Sequence, residues 1–193
     1  MLEKLKKSLE EAPVIQKQNG GQTYSYFIHP ISDGIPQTDP AVLEEIADYI
    51  ISDGKTGGID KIITVEAMGI PIATALSLKT GIPVSVIRKR EYGLDGEVAL
   101  SQSTGYSKGS LYINGLKKGD CVLIVDDVIS TGGTLLSLLK TLDGMGIIIA
   151  GVYCVIGRGG GAKILKEKTG VAVTVLVDID VTPNGVTVVG GVK

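Results

Sequence analysis

Hydrophobic and polar positions along this chain sort it into short apolar runs separated by segments of helical spacing. Residues 2–11 form an amphipathic, charged, helix-like segment, and the polar stretch 16–22, with Gly20-Gly21, reads as an exposed turn. Tyr24-Ser-Tyr-Phe27-Ile-His29 alternates and then breaks at Pro30, as a short edge or lobe strand would. Asp39 as cap and Pro40 at a first helical position introduce a helix over 41–51. Unbroken apolar runs rich in β-branched residues follow at 60–65, 83–87, 121–125, 146–156 and 171–177. Helical segments reaching Lys79, at 135–140 and at 163–168 lie between several of them. Such runs are what strands buried on both faces look like, so the pattern predicts an α/β fold with a central, mainly parallel sheet flanked by helices. Thr182-Pro-Asn-Gly185 and 186–189 read as a turn and a terminal strand. Between 91 and 119 the texture changes to Tyr, Gly, Ser, Thr and Lys, with alternating pieces at 98–100 and 110–113, which predicts a long mobile hairpin.

The 193 residues suit one domain, with room for a small accessory lobe. Hydrophobic residues make up 44% and charged residues 21%, and no apolar run is long enough to span a bilayer, so a soluble, cytoplasmic protein is expected. The amino-terminal segment has the character of neither a signal peptide nor an anchor. A net charge of −2, with 19 Lys and Arg spread along the chain, argues against a nucleic-acid surface. Cys121 and Cys154 fall inside apolar runs without a Cys-x-x-Cys spacing and read as core.

Candidate chemistry concentrates where the strands end. The 121–125 run stops at Asp126-Asp127, and Ser130-Thr131-Gly132-Gly133-Thr134 then leads into a helix. Small residues there let backbone N–H groups and hydroxyls crowd an oxyanion at a helix amino end, where the dipole favours negative charge. The acids cannot bind phosphate themselves; they accept hydrogen bonds from sugar hydroxyls or sit near a divalent cation shared with the ligand. Together these features describe a ribose 5-phosphate site. A second strand-to-helix corner lies at Glu66-Ala67-Met68-Gly69, and Arg88-Lys89-Arg90 closes the next strand, where α/β sheets bind ligands and three cations suit pyrophosphate. The 91–119 hairpin has the makings of a water-excluding lid with its tip at Ser103, Thr104, Gly105, Tyr106, Ser107 and Lys108. Gly54-Lys55-Thr56 follows a helix and lacks the earlier glycine of a mononucleotide loop. The serious rival is Gly157-Arg-Gly-Gly-Gly-Ala162, which matches G-x-G-x-x-A and, with Asp178 and Asp180 after the next run, mimics a dinucleotide fingerprint. That fingerprint normally opens its domain. Here it follows a more specific phosphate site and reads as a glycine-rich connection near the ligand.

The 121–134 stretch resembles the phosphoribosyl-pyrophosphate signature of type I phosphoribosyltransferases, in which two acids follow an apolar strand and a Thr-Gly-Gly/Lys-Thr loop closes the motif. With Tyr26-Phe-Ile-His-Pro-Ile, Val65-Glu-Ala-Met-Gly-Ile-Pro-Ile-Ala, Val86-Ile-Arg-Lys-Arg-Glu-Tyr and Thr104-Gly-Tyr-Ser-Lys-Gly, essentially the whole chain is similar to archaeal hypoxanthine phosphoribosyltransferases. The resemblance implies the type I fold with a hood over 20–36 and a lid over 91–119. It also implies purine salvage, with magnesium-dependent transfer of phosphoribosyl from phosphoribosyl pyrophosphate to hypoxanthine or guanine, by a homodimer. On that reading Asp126 and Asp127 meet the ribose hydroxyls and, indirectly, the metal. Ser130 to Thr134 hold the 5-phosphate, and the Glu66, Ala67, Met68 and Gly69 loop contacts the leaving pyrophosphate. Arg88 and Lys89 stabilise its charge, and Phe27 stacks on the purine. The chain departs from relatives in three places. Adenine enzymes carry Glu-Tyr where Gly105-Tyr106 stands; animal and bacterial hypoxanthine-guanine enzymes carry Asp at the position of Ser130 and a Lys-Phe-Val that this chain lacks. Adenine transfer is the nearest alternative, and a phosphoribosyl-pyrophosphate-sensing regulator a further one, although such regulators add a DNA-binding domain for which this chain has no spare residues.

Overall fold

The computed structural model describes residues 1–103 and 108–192. Ten strands and six helices are assigned among them. A six-stranded sheet holds β3 (Lys61–Val65), β4 (Val84–Ile87), β7 (Cys121–Ile129), β8 (Ile148–Gly157), β9 (Val173–Thr182) and β10 (Gly185–Gly191) in the order β10-β9-β8-β7-β3-β4. All neighbours pair parallel except β9 and β10, which form the antiparallel edge. The chain lays β4 on one side of β3 and then crosses to β7 on the other, so the order reverses between β3 and β7. Ligands in open α/β sheets bind in the crevice at such a reversal, beyond the carboxyl ends of the strands.

The sheet is buried on both faces, and β7 shows how. Leu123 and Val125 join a cluster with α1 (Glu3–Glu10), α3 (Pro40–Ser52) and α4 (Gly69–Thr80), whereas Val122 and Ile124 join one with α5 (Gly133–Gly144) and Leu165 of α6 (Gly161–Thr169). Each of these four side chains is at most 1% exposed. The period of two thus sends alternate residues into two cores.

Two short hairpins stand apart from the sheet. β1 (Val14–Asn19) and β2 (Gln22–Phe27) pair antiparallel through Gly20-Gly21, both at positive φ, as a two-residue hairpin turn demands. The expected exposed turn over 16–22 is therefore mostly strand; Gln16, Gln18 and Gln22 are exposed and Lys17 only half-buried, so this end of the hairpin is wet on both faces and has no apolar alternation to betray it. The short helix α2 (Pro30–Asp33) follows, and β5 (Val98–Ser103) pairs with β6 (Lys108–Ile113) over the stretch expected to form a hairpin. Two further expectations need correction. β7 does not stop at the acids but runs through them to Ile129, and Asp178 and Asp180 lie inside β9 rather than after it.

Candidate active site

β3 and β7 deliver their carboxyl ends side by side, and three corners meet there. On β7, Asp127 N donates to Asp126 Oδ1 at 3.1 Å. Burial, reinforced by the neighbouring Asp127 charge, pushes the Asp126 carboxyl well above the usual carboxylate range. Burial also raises Asp127. Two carboxylates held in a desolvated crevice favour a ligand that supplies hydroxyl donors or a cation.

The strand then turns through Ser130 and Thr131 into α5, whose cap, Gly132, sits at φ +75° with no side chain capping the helix. The first turn of α5 stands at the positive end of a 12-residue helix, where the dipole favours an anion. A cavity of about 170 Å³ opens there, lined by Asp126 and by residues 128–135, so it includes every position of the expected cradle, Ser130, Thr131, Gly132, Gly133 and Thr134. The conformation of this loop is set from behind by the glycine-rich connection. A Cβ at Gly161 would lie 2.2 Å from Ser130 O, and one at Gly132 would lie 3.1 Å from Gly161 O. A Cβ at Gly157 would fall 2.1 Å from Asp178 Oδ1. Gly157 and Gly161 are thus explained by close approach of side chain and backbone, and Gly159 by its φ of +83°.

At the end of β3, the corner Glu66, Ala67, Met68 and Gly69 opens α4. Gly69 fits where it does because it lacks a side chain: a Cβ would lie 1.9 Å from Thr64 Oγ1 and 3.2 Å from Asp126 Oδ1. The corner therefore packs close to the acid, with no room for a side chain between them. Glu66 Oε1 accepts from Lys89 N at 2.7 Å, and Arg88 Nε stands 2.6 Å from Glu66 Oε2 with its N–H off the line to that oxygen. Of the three cations at this strand end, Arg88 shares its charge with Glu66, while the Lys89 side chain is exposed. The pairing joins the ends of β3 and β4.

The amino-terminal hairpin and α2 cover the far side of the acids. A second cavity of about 390 Å³ is lined by Tyr24, Tyr26, Phe27, Ser32, Asp127, Val128, Ser130 and Arg158. Tyr26 donates to Asp33 Oδ1 at 2.6 Å, and burial together with that bond pushes its phenol up to about 12. Phe27 is only 5% exposed and belongs to the main core, with its edge on the cavity, so the aromatic lining comes from Tyr24 and Tyr26 as well. His29 is structural. It caps α2 by accepting from Ile31 N through Nδ1, and burial lowers it to about 4. Nε2 then carries the hydrogen and reaches Ser8 Oγ at 3.1 Å.

The cradle cavity and the aromatic cavity share Val128 and Ser130 as a common wall, with Asp126 on one side and Asp127 on the other. Residues 37–189 match the family model described as the phosphoribosyl transferase domain. The chain belongs to the phosphoribosyltransferase family. It is 62% identical to a hypoxanthine/guanine phosphoribosyltransferase of Methanosarcina acetivorans over 96% of this chain and 95% of that one. To the protein of the same name from Methanohalophilus mahii it is 54% identical, over 97% and 96%. Among solved structures, the adenine phosphoribosyltransferase of Thermoanaerobacter pseudethanolicus superposes with a TM-score of 0.71 at 21% identity, covering 92% of this chain and 99% of that one. The likeness to that structure is one of fold: the central sheet with flanking helices is that of type I phosphoribosyltransferases.

Set against the family expectation, the fold brings together Asp126, Asp127, residues 130–134, residues 66–69, Arg88, Lys89 and Phe27. Thr104, Gly105 and Tyr106 lie outside the described residues. Ser103 and Lys108 are paired as the last residues of β5 and the first of β6 before that gap. Sequence reasoning missed Tyr24, Tyr26 and Arg158. Arg158 occupies an unspecified position of the glycine-rich motif, and the tyrosines sit in a stretch whose partner strand has no apolar pattern.

The resemblance implies magnesium at this site. Among the described residues no three His, Cys, Asp or Glu side chains converge as a cage. Asp126 and Asp127, held in a crevice that disfavours their charge, fit an ion that keeps water and substrate oxygens as its main ligands.

Proposed function

We propose that this protein transfers the phosphoribosyl group of phosphoribosyl pyrophosphate to a 6-oxopurine, hypoxanthine or guanine, in purine salvage. The observation that carries the reading is the shared wall. A cavity at a helix amino end suits the 5-phosphate, an aromatic cavity suits a purine, and the acid pair stands between them where the ribose must lie. The full-length relatives named hypoxanthine/guanine phosphoribosyltransferase support the 6-oxopurine.

In the reaction the bond between the sugar carbon and pyrophosphate breaks as that carbon bonds to a purine nitrogen, with loss of the proton that nitrogen carried. The uncapped amides of α5 and the hydroxyls of Ser130, Thr131 and Thr134 hold the 5-phosphate, and Asp126 and Asp127 accept from the ribose hydroxyls. The amides of Ala67, Met68 and Gly69 and the cations Arg88 and Lys89 take up charge on the departing pyrophosphate, while Glu66 N stays bonded to Ile87 O. Tyr24, Tyr26 and Phe27 orient the base, so positioning supplies most of the rate. Magnesium, held through Asp126, Asp127 and substrate oxygens, would neutralise pyrophosphate charge. The amino-terminal hairpin acts as hood, and the 91–119 hairpin as a lid that keeps water from the cation-like sugar carbon. A cytoplasmic homodimer completes the reading; among the described residues no helix is long and apolar enough to cross a membrane.

The deciding experiment measures nucleotide formation from hypoxanthine, guanine and adenine with phosphoribosyl pyrophosphate, with and without magnesium. A 6-oxopurine and adenine present opposite hydrogen-bonding groups at two positions, so the expected preference for hypoxanthine over adenine is at least about tenfold in kcat/KM. Adenine converted as fast as hypoxanthine overturns the base assignment and leaves the phosphoribosyl half standing.

A further inference from the structure

Resting on that reading, we infer that Asp33 sets the polarity of the hood: by engaging the hydroxyl hydrogens of Tyr26 and Ser32, it leaves that side of the aromatic cavity able only to accept hydrogen bonds, which suits the ring N–H of a 6-oxopurine. Asp33 is the last residue of α2, and its carboxylate is bonded to two residues that line the cavity. Tyr26 Oη donates to Asp33 Oδ1 at 2.6 Å, and Ser32 Oγ donates to Oδ2 at 2.7 Å. Oδ2 also accepts from His29 N at 3.1 Å, which fixes the carboxylate against the backbone entering α2. Lys17 Nζ lies 3.4 Å from the centre of the Tyr26 ring, so the phenol is held at its face as well as at its tip. The Asp33 charge is also felt at Asp127, where it adds to the rise that burial gives that carboxyl.

A hydroxyl has one hydrogen and two lone pairs, and a carboxylate can only accept, so each of these bonds occupies the hydroxyl's single hydrogen. Ser32 Oγ has a longer alternative in His29 O at 3.3 Å, which is likewise an acceptor. Burial and the bond to Asp33 keep the Tyr26 phenol protonated at neutral pH. What Tyr26 and Ser32 have left for a base is therefore lone pairs. Hypoxanthine and guanine carry a hydrogen on N1, and that N–H can donate to Tyr26 Oη; adenine in the same pose brings a lone pair at N1 and meets acceptor with acceptor. Guanine adds an amino donor next to N1, for which Ser32 Oγ offers a second acceptor. Adenine would fit only if the phenol turned its hydrogen towards the base, and that turn breaks the bond to Asp33. Asp33 is thus a positioning residue, acting on the base through the two hydroxyls.

The test compares wild type with D33N and Y26F, reading kcat/KM for hypoxanthine and for adenine, KM for phosphoribosyl pyrophosphate, binding of IMP and AMP, and a thermal melt of each protein. Asparagine keeps the shape of the side chain but supplies an N–H that can donate to Tyr26 Oη and release the phenol hydrogen towards adenine N1. Phenylalanine keeps the ring and removes the acceptor. D33N is expected to lower the hypoxanthine-to-adenine ratio by roughly tenfold to a hundredfold, the effect of mismatching one or two polar groups, with adenine gaining in absolute terms. Y26F is expected to lower the ratio through a larger loss on hypoxanthine than on adenine. The IMP-to-AMP binding ratio should fall in parallel, with KM for phosphoribosyl pyrophosphate little changed. Equal losses on both bases in either folded variant would mean that Asp33 only holds the hood together, and would overturn the inference; so would unchanged ratios. Should the melt show D33N to be unfolded, Y26F decides by the same criterion. A wild type without preference for hypoxanthine overturns the parent reading and this one together, whereas a selective wild type with unselective effects in the variants overturns this one alone.

Discussion

Replacing Gly161 by alanine tests how the loop proposed to take the 5-phosphate is held. The new methyl would lie 2.2 Å from Ser130 O, 2.8 Å from Ser130 C and 3.0 Å from Gly132 N. All three are backbone atoms of the cradle, so no side chain can rotate out of the way. Ordinary contact begins near 3.4 Å, so the loop must withdraw from α6 by the difference, about 1.2 Å at the carbonyl. Overpacking of this kind costs about 1–3 kcal/mol, which in a chain of this size lowers Tm by about 2–4 °C for each kcal/mol. A displacement of about 1 Å at a substrate-positioning loop costs on the order of a hundredfold in rate, so activity should suffer far more than stability. The neighbouring Gly160→Ala is the control, because a Cβ there has nothing within 4 Å. The assay follows kcat/KM for phosphoribosyl pyrophosphate and binding of ribose 5-phosphate, with a thermal melt for each variant. G161A is expected to lose both activity and phosphate affinity, and G160A to keep them. A G161A enzyme with wild-type kcat/KM, or a G160A enzyme equally impaired, would refute the claim that backbone contact between these loops sets the cradle.

Two further predictions concern titrating groups. Asp126→Asn should abolish most turnover yet raise Tm of the ligand-free protein at pH 7. The folded Asp126 is raised above its unfolded value of 3.8. Its stabilising contribution is therefore complete below that value and lost as pH rises through the folded pKa, and asparagine removes the loss. Melts of wild type and D126N should converge as pH falls; a D126N protein less stable at pH 7 would contradict the desolvation argument. His29, lowered from 6.5 to about 4 by burial, contributes stability present above pH 6.5 that is lost as pH falls towards 4. In His29→Asn, which keeps a capping acceptor, the fall in Tm between pH 6.5 and 4 should be shallower than in wild type; a parallel fall would remove His29 from the acid response.

The parallel strands were legible because burial on both faces forces near-continuous β-branched runs, and the helices because Asp39-Pro40 and the glycine stops punctuate them. β1 was not legible: Gln16-Lys-Gln-Asn19 is polar at successive positions, and what makes it a strand is pairing to β2 through Gly20-Gly21 at positive φ. The acids looked like a strand terminus because apolar character stops at Val125. The ladder to β8 nevertheless continues to Ile129 paired with Gly157. Much of the candidate site could be read from residue types that chemistry restricts, such as the acid pair and the small-residue loop. Arg158 could not, since its meaning depends on the hood strand, 133 residues earlier, that it touches.

The glycines at the site share one physical role. Gly69 admits Thr64 and Asp126, Gly161 admits Ser130, and Gly132 admits Gly161 O and the Leu165 side chain. The three corners are in consequence packed against one another through backbone and short side chains, which have few rotamers to lose when a ligand arrives. Such rigidity matters because the centre itself opposes folding: two carboxylates sit where burial disfavours their charge. A loosely held pair in that position would swing out to water and remain ionised at little cost. Held in place by Gly69 on one flank and by β7 pairing on the other, the acids stay where, on the proposed function, ribose hydroxyls and a shared cation would relieve the unfavourable charge once the substrate arrives. Binding energy at this site is then spent on neutralising charge that the fold has already positioned, which couples substrate binding to stability and predicts that ligands filling the ribose site stabilise the wild type more than they stabilise D126N.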